Sequence, residues 1–126
     1  MPHSVEYDPQ TDIIYIRADG ELTLEKIREY TNTATLLAKE KGCFRFLSDL
    51  RETVLALSML DVYNIPRMVK EMASASDLPE HKIRRAVILP RIGQLSLFFE
   101  TVSKNRMQNV ALFDDLETAR KWLLEK

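Results

Sequence analysis

Asp49, Arg51, Arg91 and Asp114 are the charged residues of this chain best placed to do chemistry. Asp49 closes the run Cys43-Phe44-Arg45-Phe46-Leu47-Ser48-Asp49, which reads as a strand, and Arg51 follows it. Pro90-Arg91 and Asp114-Asp115 follow two further apolar runs. In an open α/β sheet, ligands collect beyond the carboxyl ends of parallel strands. A guanidinium among carboxylates at such an edge can clamp a carboxylate or a phosphate through two parallel hydrogen bonds. The plainer reading of the same residues is an ion pair or a solvated rim, because structural pairs also occupy such edges. Ser58 has two readings as well. Phosphorylation there would place negative charge at a helix N-terminus, where it is stabilised, and would repel an acidic partner. Alternatively Ser58 is an N-cap with Asp61 at the capping-box position, and this is the preferred reading because serine is strongly favoured at caps.

Other reactive groups are sparse. His3 and His81 are the only histidines, and with the single cysteine, Cys43, they make no metal-ligand spacing. Cys43 reads as a small core residue, since a nucleophile needs a neighbouring base and an exposed, electropositive setting. Gly20, Gly42 and Gly93 form no G-x-G or P-loop pattern. No catalytic constellation and no cofactor are expected. Residues 65–91 carry six Lys/Arg against three Asp/Glu, the only local basic excess. Arg67, Lys70, His81, Lys82, Arg84, Arg85 and Arg91 are read as a solvated face, because no aromatic residues interleave as stacking platforms. A phosphate-bearing ligand or an acidic protein is the alternative.

The elements that must position these residues belong to one domain spanning 1–126. At 126 residues, with 45% hydrophobic and 29% charged residues, the chain is long enough for a self-sufficient core and is globular in composition. A formal net charge of −1 argues against a nucleic-acid binder, which needs a basic field to displace counterions. No basic start followed by an apolar run suggests a signal peptide, and no stretch approaches the roughly 18 apolar residues of a membrane span. With one cysteine and no internal disulfide, the expected location is the cytoplasm.

Ser4–Tyr7 and Ile13–Ile16 read as a hairpin around the turn Asp8-Pro9-Gln10-Thr11-Asp12, since the connection is too short for a parallel crossover. Thr23 caps a helix over 23–41 that ends before Gly42. Strands follow at 43–49, 85–90 and 110–113. Helices follow at 66–76, around Leu95, Phe98, Phe99, Val102 and Met107, and after Asp114, with Glu117 three residues on. The order β-β-α-β-α-β-α-β-α predicts an α/β fold with a mixed sheet, an N-terminal hairpin and then parallel βα units.

This order resembles the SpoIIAA-like family of small STAS-type domains, whose parent group includes the anti-sigma-factor antagonists of bacteria. The residues that carry the resemblance are Gly20-Glu21-Leu22-Thr23 before the first helix, Asp49-Leu50-Arg51 at a strand end, the apolar strand at 85–90, and Asp-Asp-Leu-Glu-Thr-Ala after the last strand. In the antagonists a serine near the position of Ser58 is phosphorylated to switch binding to a partner kinase. Here Leu57 precedes it where they have aspartate, and Met59-Leu60 follows it in place of Ser-Gly-Leu-Gly. The resemblance therefore points outside the antagonist branch, to relatives without an assigned activity. It implies a regulatory or protein-interaction module without enzymatic activity.

Residues 54–69 hold eleven apolar residues in sixteen, more than a one-faced surface helix carries. Pro66 removes an N–H and clashes with the preceding turn, so we expect a break there and a helix starting near it. Leu55, Leu57, Met59, Leu60, Tyr63, Ile65 and Met68 are the candidate apolar surface. They have three possible roles: core, homodimer interface, or the wall of a pocket for an apolar ligand. The leading expectation is a homodimeric interaction module with a regulatory protein partner. The alternative is a carrier or sensor of a small apolar or anionic molecule bound near 54–72 and the strand-end rim.

Overall fold

The structure is a computed structural model that describes residues 3–91, 93–105 and 108–125. Nine elements follow one another in the expected alternation, with one extra 3-10 turn at Glu80–Lys82. Strands β1 (His3–Asp8) and β2 (Ile13–Leu22) form an antiparallel hairpin. Its turn is held as the sequence suggests. The Asp8 carboxylate accepts from the Gln10 amide at 3.0 Å and from the Thr11 hydroxyl at 2.9 Å. Asp12 takes a left-handed φ of 56°, which aspartate tolerates better than most residues.

From β2 onward every neighbouring strand pair is parallel. Strands β3 (Arg45–Leu55), β4 (Arg84–Ile88) and β5 (Val110–Phe113) join in sequence order, giving a five-stranded sheet β1-β2-β3-β4-β5. Three successive right-handed crossovers that step the same way must put their helices on one face. Accordingly α1 (Leu24–Lys41), α2 (Met59–Ala75) and α3 (Gln94–Asn105) cover one side, and the final helix α4 (Leu116–Leu124) covers the other. Strand alternation then divides the core. Ile14, Ile16, Phe46 and Leu50 face the three-helix layer, while Ile13, Leu47, Ala86 and Ile88 face Ala119 and Leu123 of α4.

Helix α1 begins and ends where its sequence signals place it. Thr23 accepts from the Lys26 amide at 3.2 Å, and Gly42 closes the helix at φ 62°. Several expectations are corrected. Strand β3 does not end at Asp49 but continues to Leu55, because β2 also extends and pairs with it through Leu22 and Leu55. The register passes from Arg17–Asp49 to Asp19–Glu52, so β3 carries an extra residue at Leu50–Arg51, a bulge. Cys43 precedes β3 rather than opening it, and it is fully buried. The last helix is capped by Asp115 rather than Asp114; the Asp115 carboxylate accepts from the Thr118 amide at 2.8 Å. Met107, expected in the third helix, lies outside the described residues.

Pro66 does not break the chain. Helix α2 runs through it from Met59 to Ala75. An interior proline costs about 3 kcal/mol, and tertiary packing outweighs that here. Val62, Ile65 and Met68 are buried on the same helix, the Pro66 ring is fully buried, and the Pro66 carbonyl accepts from Gln108 Nε2 at 2.7 Å.

Candidate ligand cavity

The three-helix layer does not close tightly on the sheet. A cavity of about 110 Å³ lies between them. Its origin is a coincidence of small side chains. Thr31, Ala34 and Thr35 of α1, Ala73 of α2 and Ser48 of β3 meet where a filled core would place leucine or isoleucine. Larger apolar residues complete the wall, among them Leu55, Leu57, Ile65, Val87 and Phe99. Val87 and Leu112 sit under helices, are only partly buried and line this cavity.

Among the described residues, one cationic side chain, that of Arg85, lines this space. Arg85 pairs with Phe46 of β3 and Val110 of β5, so it lies in the middle of the sheet. Alternation turns Arg85 and Val87 toward the cavity and sends Arg84, Ala86 and Ile88 to the α4 side. There the Arg84 guanidinium stacks 4.2 Å from the Trp122 ring centre and donates to the Glu125 carbonyl at 2.9 Å. Arg85 Nη2 donates instead to the Gln108 amide oxygen at 2.5 Å, while Gln108 Nε2 is held on Pro66. Arg85 is half-buried and is one of the residues that line the cavity. Burial lowers its pKa to about 10, opposed by the nearby Tyr30. Burial also pushes the Tyr30 phenol upward. Among the described residues, none of the ion pairs includes Arg85, and no carboxylate contributes to its electrostatics.

The strand-edge residues singled out by sequence are arranged differently. Arg51 Nε donates to Asp49 Oδ1 at 2.9 Å and Arg51 Nη2 to Oδ2 at 2.7 Å, a two-point ion pair at the surface. The Arg51 guanidinium holds the Asp49 carboxyl below the usual carboxylate range. Arg51 also senses the charge of Asp115, which caps α4. Arg91 and Asp114 are exposed, and among the described residues neither joins that pair. A larger, more polar cleft of about 430 Å³ lies on the α4 side beside Tyr15, Arg17, Asp49 and Arg120. Its polar chains are solvated or engaged with one another, as where Arg120 Nε donates to Tyr15 Oη at 3.2 Å.

Ser58 forms a complete capping box with Asp61. Its hydroxyl accepts from the Asp61 amide, and its own amide donates to the Asp61 carboxylate, each at 3.0 Å. The apolar segment divides three ways. Ile65 and Met68 are buried in the core and do not belong to a free surface, a correction to the sequence grouping. Leu55 and Leu57 line the cavity. Val54, Met59, Leu60 and Tyr63 are exposed at 70%, 60%, 69% and 46%. Cys43 is buried, and its thiol is pushed up to about 11 by that burial.

Sequence reasoning missed Arg85 by grouping it with a solvated basic face. The signal was available. Arg85-Ala86-Val87-Ile88-Leu89 reads as a strand covered on both faces, and an arginine on such a strand is set beneath a helical layer rather than on a solvated face. In comparisons with known proteins, no family model and no curated protein matches this chain.

Proposed function

We propose that this protein is a carrier or sensor that holds a small, largely apolar molecule inside the fold, and that it works by binding rather than by catalysis. The observation that carries this reading is the cavity of about 110 Å³ beneath the helical layer. It compares with the roughly 150 Å³ that accepts a benzene ring in an engineered protein core. Void space in a core costs stability in proportion to its volume. A ligand that fills the void recovers those contacts and stabilises the fold by mass action. The STAS-like architecture inferred from sequence belongs to the same proposal: such a domain would report ligand occupancy through its helical face.

Titration with toluene, followed through backbone amide resonances, tests the reading. Shifts concentrated at Ala34, Ser48, Val87 and Phe99 are expected. Absence of any shift at these residues at millimolar toluene would count decisively against it.

A second reading is supported by a separate observation. Val54, Met59, Leu60 and Tyr63 form an exposed apolar group where β3 hands over to α2, the kind of surface that marks contacts. In this reading the protein is a homodimeric interaction module joined through that group. Light scattering on the eluting peak tests it at tens of micromolar protein; a monomer mass there would end it.

A further inference from the structure

The cavity is apolar except for a few groups, and one of them is out of place. Arg85 brings a full positive charge to an apolar wall, with a neutral amide oxygen as its hydrogen-bond acceptor. Buried cations in folded proteins are normally matched by an anion. Among the described residues no carboxylate pairs with this one. Tyr30 and Ser48 line the same space as Arg85. The wall is therefore mostly aliphatic and aromatic, with one cationic residue and a few hydroxyl-bearing residues among those that line it.

We infer that the ligand is a small monoanion with an apolar tail, its carboxylate seated on the Arg85 guanidinium and its hydrocarbon part against Leu55, Ile65, Val87 and Phe99. This rests on the reading that the cavity is a ligand site, and it names the chemistry of that ligand. A carboxylate suits the planar guanidinium, whose donors match two oxygens side by side. A tail alone would leave the cation unmatched. An inorganic anion alone would leave the apolar wall empty. The volume, judged against the benzene-sized cavity, limits the ligand to about six or seven non-hydrogen atoms, so butyrate is a fitting probe. Gln108 orients Arg85 from the far side, and its other end is tied to the Pro66 carbonyl of α2. A bound carboxylate that draws on Arg85 would thus be felt at the proline of that helix.

Calorimetric titration of the full chain with butyrate, its neutral shape-match butyramide, and toluene tests the assignment. Wild-type protein should bind butyrate 10- to 100-fold more tightly than butyramide, the range expected of a hydrogen bond to a charged group. In Arg85→Met, checked for folding by its thermal transition, butyrate affinity should fall by the same factor while toluene binding persists. Equal affinity of the wild type for butyrate and butyramide would overturn the assignment and needs no variant. So would undiminished butyrate binding by folded Arg85→Met. Toluene binding without any butyrate binding would refute the anionic ligand and leave the cavity reading standing. Failure of all three probes would refute both.

Discussion

Replacing Arg85 by methionine should stabilise the empty protein, against the usual direction for a substitution inside a core. The magnitude follows from the cation's surroundings. Burial lowers the Arg85 pKa by more than two units from its usual value, to about 10, and each tenfold change in proton affinity is 1.36 kcal/mol, so holding the charged form costs the folded state roughly 3 kcal/mol. Below about pH 10 both folded and unfolded chains keep the proton, and the cost is constant through the neutral range. Between there and the higher pKa of the unfolded chain, the unfolded chain binds more protons, so this term makes stability rise with pH. Methionine removes the cost but leaves the Gln108 amide oxygen without its donor, a loss of about 1–3 kcal/mol. The net effect is a gain of between zero and about 2 kcal/mol, in line with replacements of other buried charges. For a domain of this size that raises Tm by up to about 8 °C. Thermal and urea unfolding at several pH values between 6 and 9 would measure it, and the difference from wild type should not vary across that window. A loss of more than about 1 kcal/mol would show that Arg85 is well compensated in the empty protein, and the reasoning about an absent anion would fail.

The remaining predictions concern separate parts of the fold. Ala34→Leu should fill the cavity, raise stability by about 0.5–2 kcal/mol and abolish butyrate binding; retained affinity would place the ligand elsewhere. Ser58→Ala should cost about 1 kcal/mol by removing the α2 cap, and an unchanged unfolding midpoint would deny the capping box any energetic weight. The Cys43 thiol, raised to about 11 by burial, should resist alkylation at pH 8 in the native protein and react freely in denaturant. Because its folded value lies above the unfolded 9.0, its contribution should be intact below pH 9 and lost as pH climbs toward 11; rapid native labelling would contradict this.

The parts of the fold that were legible in sequence are those fixed by local chemistry. The Thr23 cap and Gly42 bounded α1 because both act within one helical turn. The Asp8 turn marked the hairpin because its side chain binds the backbone two residues on. The element order and mixed sheet followed from alternation. What was illegible depends on distant partners. Polar Asp19-Gly20-Glu21 and Arg51-Glu52 carry no strand signal, and they are strand only because β2 and β3 pair with each other beyond the rest of the sheet. Pro66 survives inside α2 because its burial and the Gln108 contact outweigh its cost, and neither is visible in the segment itself. The candidate site followed the same rule. Asp49 and Arg51 were noticed as charged residues at a strand end, and they satisfy each other. The cavity arises from small residues on three elements that meet only in the folded chain. Arg85 became meaningful once its neighbours across the sheet were known.

The most direct measurement is a crystal structure of the protein soaked with 4-bromobutyrate, located through the anomalous signal of its bromine. The cavity account predicts a bromine peak against Leu55, Val87 and Phe99, with the carboxylate within hydrogen-bond distance of the Arg85 guanidinium. A peak confined to the surface, or a cavity that stays filled only by water around Arg85, would contradict it.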